Sequence, residues 1–307
     1  MSLAFYLNIV MSGLLTGLVY GLAALGLSLI FTVTRIVDFA HGALMAAGIA
    51  GAAALAARHG MDPLLAMPMV AAGLFCGGFL LYRLLIGRVA AAPDHLRTLA
   101  MLGLALILAA GLTLAAGLTL VSGMSPSGVT VTGVALPVAN SPATPAAEGL
   151  AFGPFLFDRM ALRAALMAGI MTALLALFFN LSQTGKAIRA CADSPFGARV
   201  VGLNLERLRA VTFGLGAAIT GSAGCLIVQN AALRSAQPGD LLALGLTVAL
   251  VGGLGSVEGA LLGGMAVGVA EALAGALLGP ALQTLAGYAV LLLVLALRPQ
   301  GLAGQSA

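Results

Sequence analysis

Tryptophan is absent from this 307-residue chain, and only 8% of residues are charged. So little charge beside 61% hydrophobic residues and a mean hydropathy of +1.11 excludes a water-soluble globule, which could not bury that much apolar surface. Without tryptophan the aromatic belt that marks membrane interfaces is thin. Cysteine is scarce: Cys76, Cys191 and Cys225 are isolated, in neither metal-ligand nor disulfide-framework spacing. No phosphate-loop motif GxxxxGK[ST] occurs, so the chain is not expected to bind ATP. No basic–aromatic stretch points to nucleic acid, and no HExxH or Ser/His arrangement points to catalysis. The N-terminus lacks the charged region and cleavage site of a removable signal.

What is present is small and apolar. Glycine occupies 42 positions, the composition that lets helices pack closely inside a bilayer. The pattern predicts an all-α, polytopic membrane bundle of about 8–10 transmembrane helices with broken helices, forming a single domain over residues 1–307. Apolar stretches cover residues 3–33, 42–57, 64–86, 98–121, 161–181, 210–230, 241–278 and 281–297. The first is longer than a hydrocarbon core of about 30 Å requires, so it is expected to tilt strongly or to break near Gly13–Gly17 or Gly21–Gly26.

Four regions interrupt the lipid-like pattern. Arg35, Asp38 and His41 lie at i, i+3 and i+6 between apolar stretches and would share a face of a helix. They read either as a short turn with an Arg35–Asp38 ion pair or as groups lining a cavity. Residues 122–158 are rich in Pro, Ser, Thr and Gly and carry no basic residue, which suggests an extended aqueous loop with a short hairpin near Val129–Val131. Residues 182–209 hold Lys186, Arg189, Arg199, Arg207 and Arg209. There Ser194-Pro195 reads as a helix N-cap with proline in the first turn, and Gly202-Leu-Asn204 as a stop, giving two short helices at about 186–193 and 195–202. Finally, 241–278 is too long for one span, and Gly252, Gly253, Gly255 and Ser256 break it into two half-helices. Ser256 would cap the second, with Glu258 in its first turn. Glu271 is an acid inside an apolar helix and should face the protein interior. His41-Gly-Ala-Leu44 and Glu258-Gly-Ala-Leu261 echo each other, as in an inverted repeat.

If the breaks near Arg35 and residue 256 each separate two spans, ten basic residues fall on one side and four on the other. Loop 182–209 and the C-terminus are then cytosolic and the N-terminus outside.

Taken together, Gly17-Leu-Val-Tyr20-Gly-Leu-Ala-Ala-Leu-Gly26, Asp38-Phe-Ala-His41-Gly42, Gly185-Lys-Ala-Ile-Arg189-Ala-Cys-Ala-Asp193, Gly202-Leu-Asn204, Gly252-Gly-Leu-Gly255-Ser256 and Arg298-Pro-Gln-Gly301 resemble the membrane permease subunit of branched-chain amino acid (leucine/isoleucine/valine-type) ABC importers. The resemblance spans almost the whole chain. It implies a bacterial inner-membrane protein that pairs with a second permease or itself, with two cytosolic ATPases that bind the ATP, and with a periplasmic substrate-binding protein. It also implies that 185–204 is the coupling loop, with Lys186, Arg189, Ala190, Asp193, Ala198, Gly202 and Asn204 as its contact positions. Candidate pathway residues are Asp38, His41, Glu258 and Glu271. The chain departs from the family at Asp38 (often Asn), Glu258 (often Pro) and Leu244 (often Lys), which alters the charge near the presumed path. The competing reading of those ionisable groups is an ion-coupled transporter or channel, which would leave the basic loop without a role.

Overall fold

A computed structural model describes residues 3–89, 92–121, 128–131, 134–137, 150–152, 155–227 and 237–304. Among the described residues, seven helical segments are long and apolar enough to cross a membrane, and two shorter apolar helices accompany them. The chain is a polytopic helix bundle. Its central rod is α1 (Leu3–Thr34), one unbroken helix of 32 residues, about 48 Å long. The break considered for its glycines is therefore not there. Those glycines instead admit a neighbouring backbone.

After α1, a turn leads into α2 (His41–His59) and then α3 (Pro63–Leu81), which Asp62 caps by accepting a hydrogen bond from the Leu64 amide. A π turn at Tyr82–Ile86 joins α3 to the short α4 (Gly87–Val89). Helix α5 (Asp94–Val121) precedes two antiparallel hairpins, β1 (Gly128–Val131) with β2 (Val134–Pro137) and β3 (Leu150–Phe152) with β4 (Phe155–Phe157). The first coincides with the expected hairpin near Val129–Val131. Helix α6 (Arg159–Leu181) follows, then α7 (Gln183–Asp193) and α8 (Pro195–Val200). The bundle closes with α9 (Leu205–Ile227), α10 (Pro238–Gly252), α11 (Val257–Leu277) and α12 (Gln283–Leu297). Residues 228–236 between α9 and α10, Arg234 among them, lie outside the described set.

Three boundaries differ from the sequence expectation for local reasons. Helix α7 begins at Gln183, so Gly185 is inside it, where a Cβ would meet the Phe178 carbonyl at the end of α6. Helix α8 ends at Val200, and Gly202, at φ +82°, makes the left-handed stop. Asn204 accepts from the Arg207 amide and starts α9 at Leu205, so Arg207 and Arg209 belong to a helix rather than to the loop.

Antiparallel packing of α1 on α11 brings backbones together. A Cβ at Gly13 would lie 2.7 Å from the Val269 Cα, and one at Gly17 2.7 Å from the Met265 Cα. On the facing helix, side chains at Gly264 and Gly268 would overlap the Gly17 and Gly13 carbonyls. Small residues repeat this elsewhere: Gly26 on Gly216 and Thr220 of α9, Gly48 on Gly221, Gly78 on Gly214 and Ala217. α1 and α9 are thus enclosed, whereas α3, α5, α6 and α12 keep large apolar side chains exposed, among them Leu65, Leu106, Leu177 and Leu292. In a multi-pass membrane protein such surfaces meet lipid.

The contact between α1 and α11 yields a prediction. Gly264→Ala should lower unfolding stability by about 1–3 kcal/mol, the range for overpacking. Gly73→Ala, whose Cβ meets nothing within 4 Å, should be neutral or mildly stabilising. Thermal unfolding of the two purified variants compares them directly.

Candidate functional site

Three groups of residues carry the chemistry, and α1 touches all of them. At its C-terminal end, which we call the loop end, Val33 is buried with Ile188, Cys191 and Ala192 of α7, Ala198 of α8 and Leu205 of α9. This apolar patch seats the two short helices. Ser194 caps α8 by accepting from the Gly197 amide, as its sequence suggests. Burial pushes the Cys191 thiol above its usual range, which leaves it a packing residue rather than a nucleophile.

Of the seven coupling candidates, Lys186, Arg189, Ala190, Asp193, Gly202 and Asn204 are exposed, while Ala198 is buried beneath α8. Ala198 packs with Val33, Ile188 and Leu205 and so seats α8 on the bundle. Arg189 donates to the Asn180 side chain at 3.0 Å, tying α7 to α6. Sequence reasoning missed the tip of α8. Phe196, Val200 and Val201 are 79%, 72% and 73% exposed. Large apolar groups this open, on a helix flanked by charge, are unusual on a water-facing surface. The signal was present in the i, i+4 spacing of Phe196 and Val200.

The second group is the break between α10 and α11. Gly253 and Gly255 have φ of +102° and +91°. Ser256 caps α11 by accepting from the Gly259 amide. The remaining polar backbone atoms are satisfied from two directions. Ser28 Oγ accepts from the Gly255 amide at 2.9 Å, and Thr32 Oγ1 donates to the Gly255 carbonyl at 3.3 Å. From the C-terminus, the Leu302 and Ala303 amides donate to the Val251 and Gly252 carbonyls at 2.9 and 3.0 Å, closing the end of α10. Gly301, at φ +81°, makes the turn that brings them there. Glu258 is exposed in the first turn of α11, where a carboxylate complements the helix N-terminus.

The third group comprises the intramembrane ionisable residues, which do not form one cluster. Arg35 to Ala40 is not helical: Arg35 sits at φ +53° and is exposed, whereas Asp38 is fully buried. Neither the shared helical face nor the Arg35–Asp38 pair is therefore realised. Instead the segment folds back into the bundle. Asp38 Oδ1 accepts from the Ala40 amide at 2.9 Å. His41 Nδ1 lies 3.3 Å from the Thr220 hydroxyl, the same residue that packs on Gly26 of α1. The His41 ring fills the space a Gly245 side chain would take. Asp38 Oδ2 and His41 Nε2 find no hydrogen-bond partner among the described residues.

Glu271 lies elsewhere, toward the opposite end of α1. Its Oε2 accepts from the Tyr20 hydroxyl at 3.1 Å. Beside the pair is a cavity of about 280 Å³ lined in part by Ser12, Thr16 and Gln283. Ser12, Thr16 and Tyr20 recur at four-residue spacing, so they form a polar stripe next to the glycine stripe of α1. Among the described residues, no three His, Cys, Asp or Glu side chains are grouped to hold a metal ion.

A multi-pass bundle with a supported break between α10 and α11, a seated pair of short helices at one end and polar groups along one central helix suits a transport permease. Residues 9–296 match the family described as the branched-chain amino acid transport system permease component, and the chain belongs to that family. It is 28% identical over 321 residues to the high-affinity branched-chain amino acid transport system permease protein BraD of Pseudomonas aeruginosa, covering 98% of this chain and 96% of the relative. The LivH permease of Escherichia coli is 33% identical over 132 residues, 43% of each chain. A probable LivH of Methanocaldococcus jannaschii is 27% identical over 250 residues, 80% of this chain and 74% of the relative. No solved structure matches.

The closure of α10 by the C-terminus is testable. Removing residues 302–307 would orphan two buried carbonyls, at about 1–3 kcal/mol each. The truncated protein should insert in the membrane but unfold at a markedly lower temperature in detergent.

Proposed function

We propose that this chain is one permease half of an ATP-driven importer in the bacterial inner membrane, moving branched-chain or related small amino acids. The branched-chain amino acid transport of its relatives supports that substrate class. In this reading the whole of 1–307 acts as a single transmembrane domain. Residues 122–158 face the periplasm, and the loop end with the C-terminus faces the cytosol, the side that the balance of basic residues favours. A second permease (homologous or identical) completes the path, a periplasmic binding protein delivers substrate, and two ATPases supply ATP hydrolysis from outside this chain.

The observation that carries the proposal is the exposed apolar tip of α8. Phe196, Val200 and Val201 project from helices whose inner face is fastened to Val33 and Leu205. An ATPase cleft closing on this tip would push on α1 and α9 together, because Ile188, Ala198 and Val33 form one packed unit. An ion-coupled transporter needs no such surface, and family membership does not favour that alternative.

The Glu271–Tyr20 cavity is the proposed contact for the substrate ammonium. A carboxylate at membrane depth is costly unless paired, and the Tyr20 hydroxyl offers only one hydrogen bond. A cavity of about 280 Å³ admits a small amino acid. Asp38 and His41, buried nearer the loop end, would lie along a later part of the route, whereas Glu258 would act at the helix terminus only.

Two substitutions separate these roles. Ala190→Glu places a charge on the exposed face of α7 without touching its packed face. It should abolish ATP-driven uptake in reconstituted vesicles while leaving membrane insertion and thermal stability unchanged; normal uptake would refute docking on this face. Glu271→Gln keeps the Tyr20 hydrogen bond and removes the charge. It should cut uptake at least tenfold, about 1.4 kcal/mol, with ATPase co-purification intact.

A further inference from the structure

One cavity borders the coupling loop at Asn204 but carries charged residues that none of these roles uses. It is a cleft of about 630 Å³ at the loop end, between the α3–α4 junction and the start of α9. Arg83 and Arg88 line one wall, Arg207 and Glu206 the other. Three guanidinium groups thus face one carboxylate. Tyr82 forms part of the wall.

Local backbone geometry builds this site. Between Tyr82 and Ile86 the helix widens to a π turn, with the Gly87 amide bonded to the Tyr82 carbonyl. Residues five apart, which an α-helix sets on different faces, come round toward the same one in this wider turn. Arg83 and Arg88 consequently line the same cleft. Arg88 is further held by donation to the Leu84 carbonyl at 2.6 Å.

The flanks are apolar. Leu80, Leu84 and Leu85 are exposed on the same segment. Beside it runs a second cavity of about 190 Å³ lined by Ile36, Leu85, Ile86, Met101 and Leu104, with Arg97 in its wall. The Arg97 Nε donates to the Ala92 carbonyl at 2.8 Å, which fixes the side chain there.

We infer that this cleft binds the phosphate headgroup of an anionic phospholipid of the leaflet at the loop end, with an acyl chain along the apolar surface of Leu84, Leu85 and Ile107. Charge complementarity selects the phosphate, since forked guanidinium donors match its oxygens. The flanking apolar surfaces select a lipid over a soluble anion, because only a lipid fills both. Basic pockets between helix ends on the cytoplasmic side suit such headgroups, so the site agrees with the orientation proposed above. Lipid binding can nevertheless be read without any transport assay, so its failure would not be confused with failure of the importer reading.

The test uses the purified full chain, delipidated in non-ionic detergent. Phosphatidylglycerol, phosphatidylcholine or inorganic phosphate is added in separate arms. Bound lipid is counted by native mass spectrometry, and the unfolding midpoint is followed. Phosphatidylglycerol should be retained and should raise the midpoint; phosphatidylcholine and phosphate should do neither. Arg83→Gln and Arg207→Gln should each weaken retention about fivefold, with Arg83→Lys intermediate. Glu206→Gln should strengthen it, a gain that misfolding cannot imitate, and midpoints in phosphatidylcholine should match the parent for every variant. Equal retention of phosphatidylcholine, an unchanged response in both Gln variants at the arginines, or a midpoint shift from phosphate alone would overturn the inference.

Discussion

Everything in this bundle depends on α1 and α11 lying backbone to backbone. In lipid, apolar side chains gain little by leaving one hydrocarbon surface for another, so association must come from close packing and from polar contacts between helices. Gly13, Gly17 and Gly21 on one helix and Gly264 and Gly268 on the other supply the first. Tyr20 with Glu271, and Ser28 and Thr32 with the Gly255–Ser256 backbone, supply the second. These contacts lie along the same side of α1 because serine, threonine, tyrosine and glycine positions recur in adjacent four-residue stripes. Polar pairs are therefore placed by the packing that excludes lipid from around them.

The same logic explains how an interrupted helix survives in a membrane. Unwound backbone at Gly253–Ser256 exposes amide and carbonyl groups that lipid cannot satisfy. The chain answers with hydroxyls from its first helix and amides from its last described residues. A break so supported from both ends of the sequence is a built joint. It also fixes the C-terminal segment to the core of the loop end, so that the end of α10, the start of α11, the end of α1 and the seated helices α7 and α8 share one neighbourhood.

Much of this was legible in the residues alone. The membrane class follows from composition, and the caps at Ser194 and Ser256 and the stops at Gly202 and Gly253 follow from turn chemistry that is local in sequence. What the sequence hid was long-range. Apolar periodicity could not show whether the glycines of α1 bend the helix or admit a partner, because both uses require the same missing side chain. Nor could spacing place Asp38. A helical reading puts it on a face with Arg35 and His41, whereas the left-handed Arg35 redirects the chain, leaving Arg35 exposed and Asp38 and His41 buried. Nor could spacing show that Ala198 packs beneath α8 while Phe196 and Val200 stay open. Exposure, which separates Phe196 from Ala198 two residues later, is a property of the packed helix pair and not of either residue type.

Taken as a mechanical object, α1 links the proposed sites. Its Val33 end is packed under the helix pair, its Ser28 and Thr32 hold the α10–α11 break, and Tyr20 reaches Glu271. A continuous helix of 32 residues transmits displacement along its length better than a chain of short segments would. In the proposed cycle a force applied at Phe196 and Val200 need not travel through a sequence of rearranging side chains. It can move α1 as a body, and because α11 is locked to it by glycine contacts, Tyr20 and Glu271 would travel together. The freedom to open and close must then lie where α1 meets other partners through separable surfaces. The face presented to the second permease is the natural place for it, since rigid-body motion between halves leaves each half's close-packed glycine seams intact.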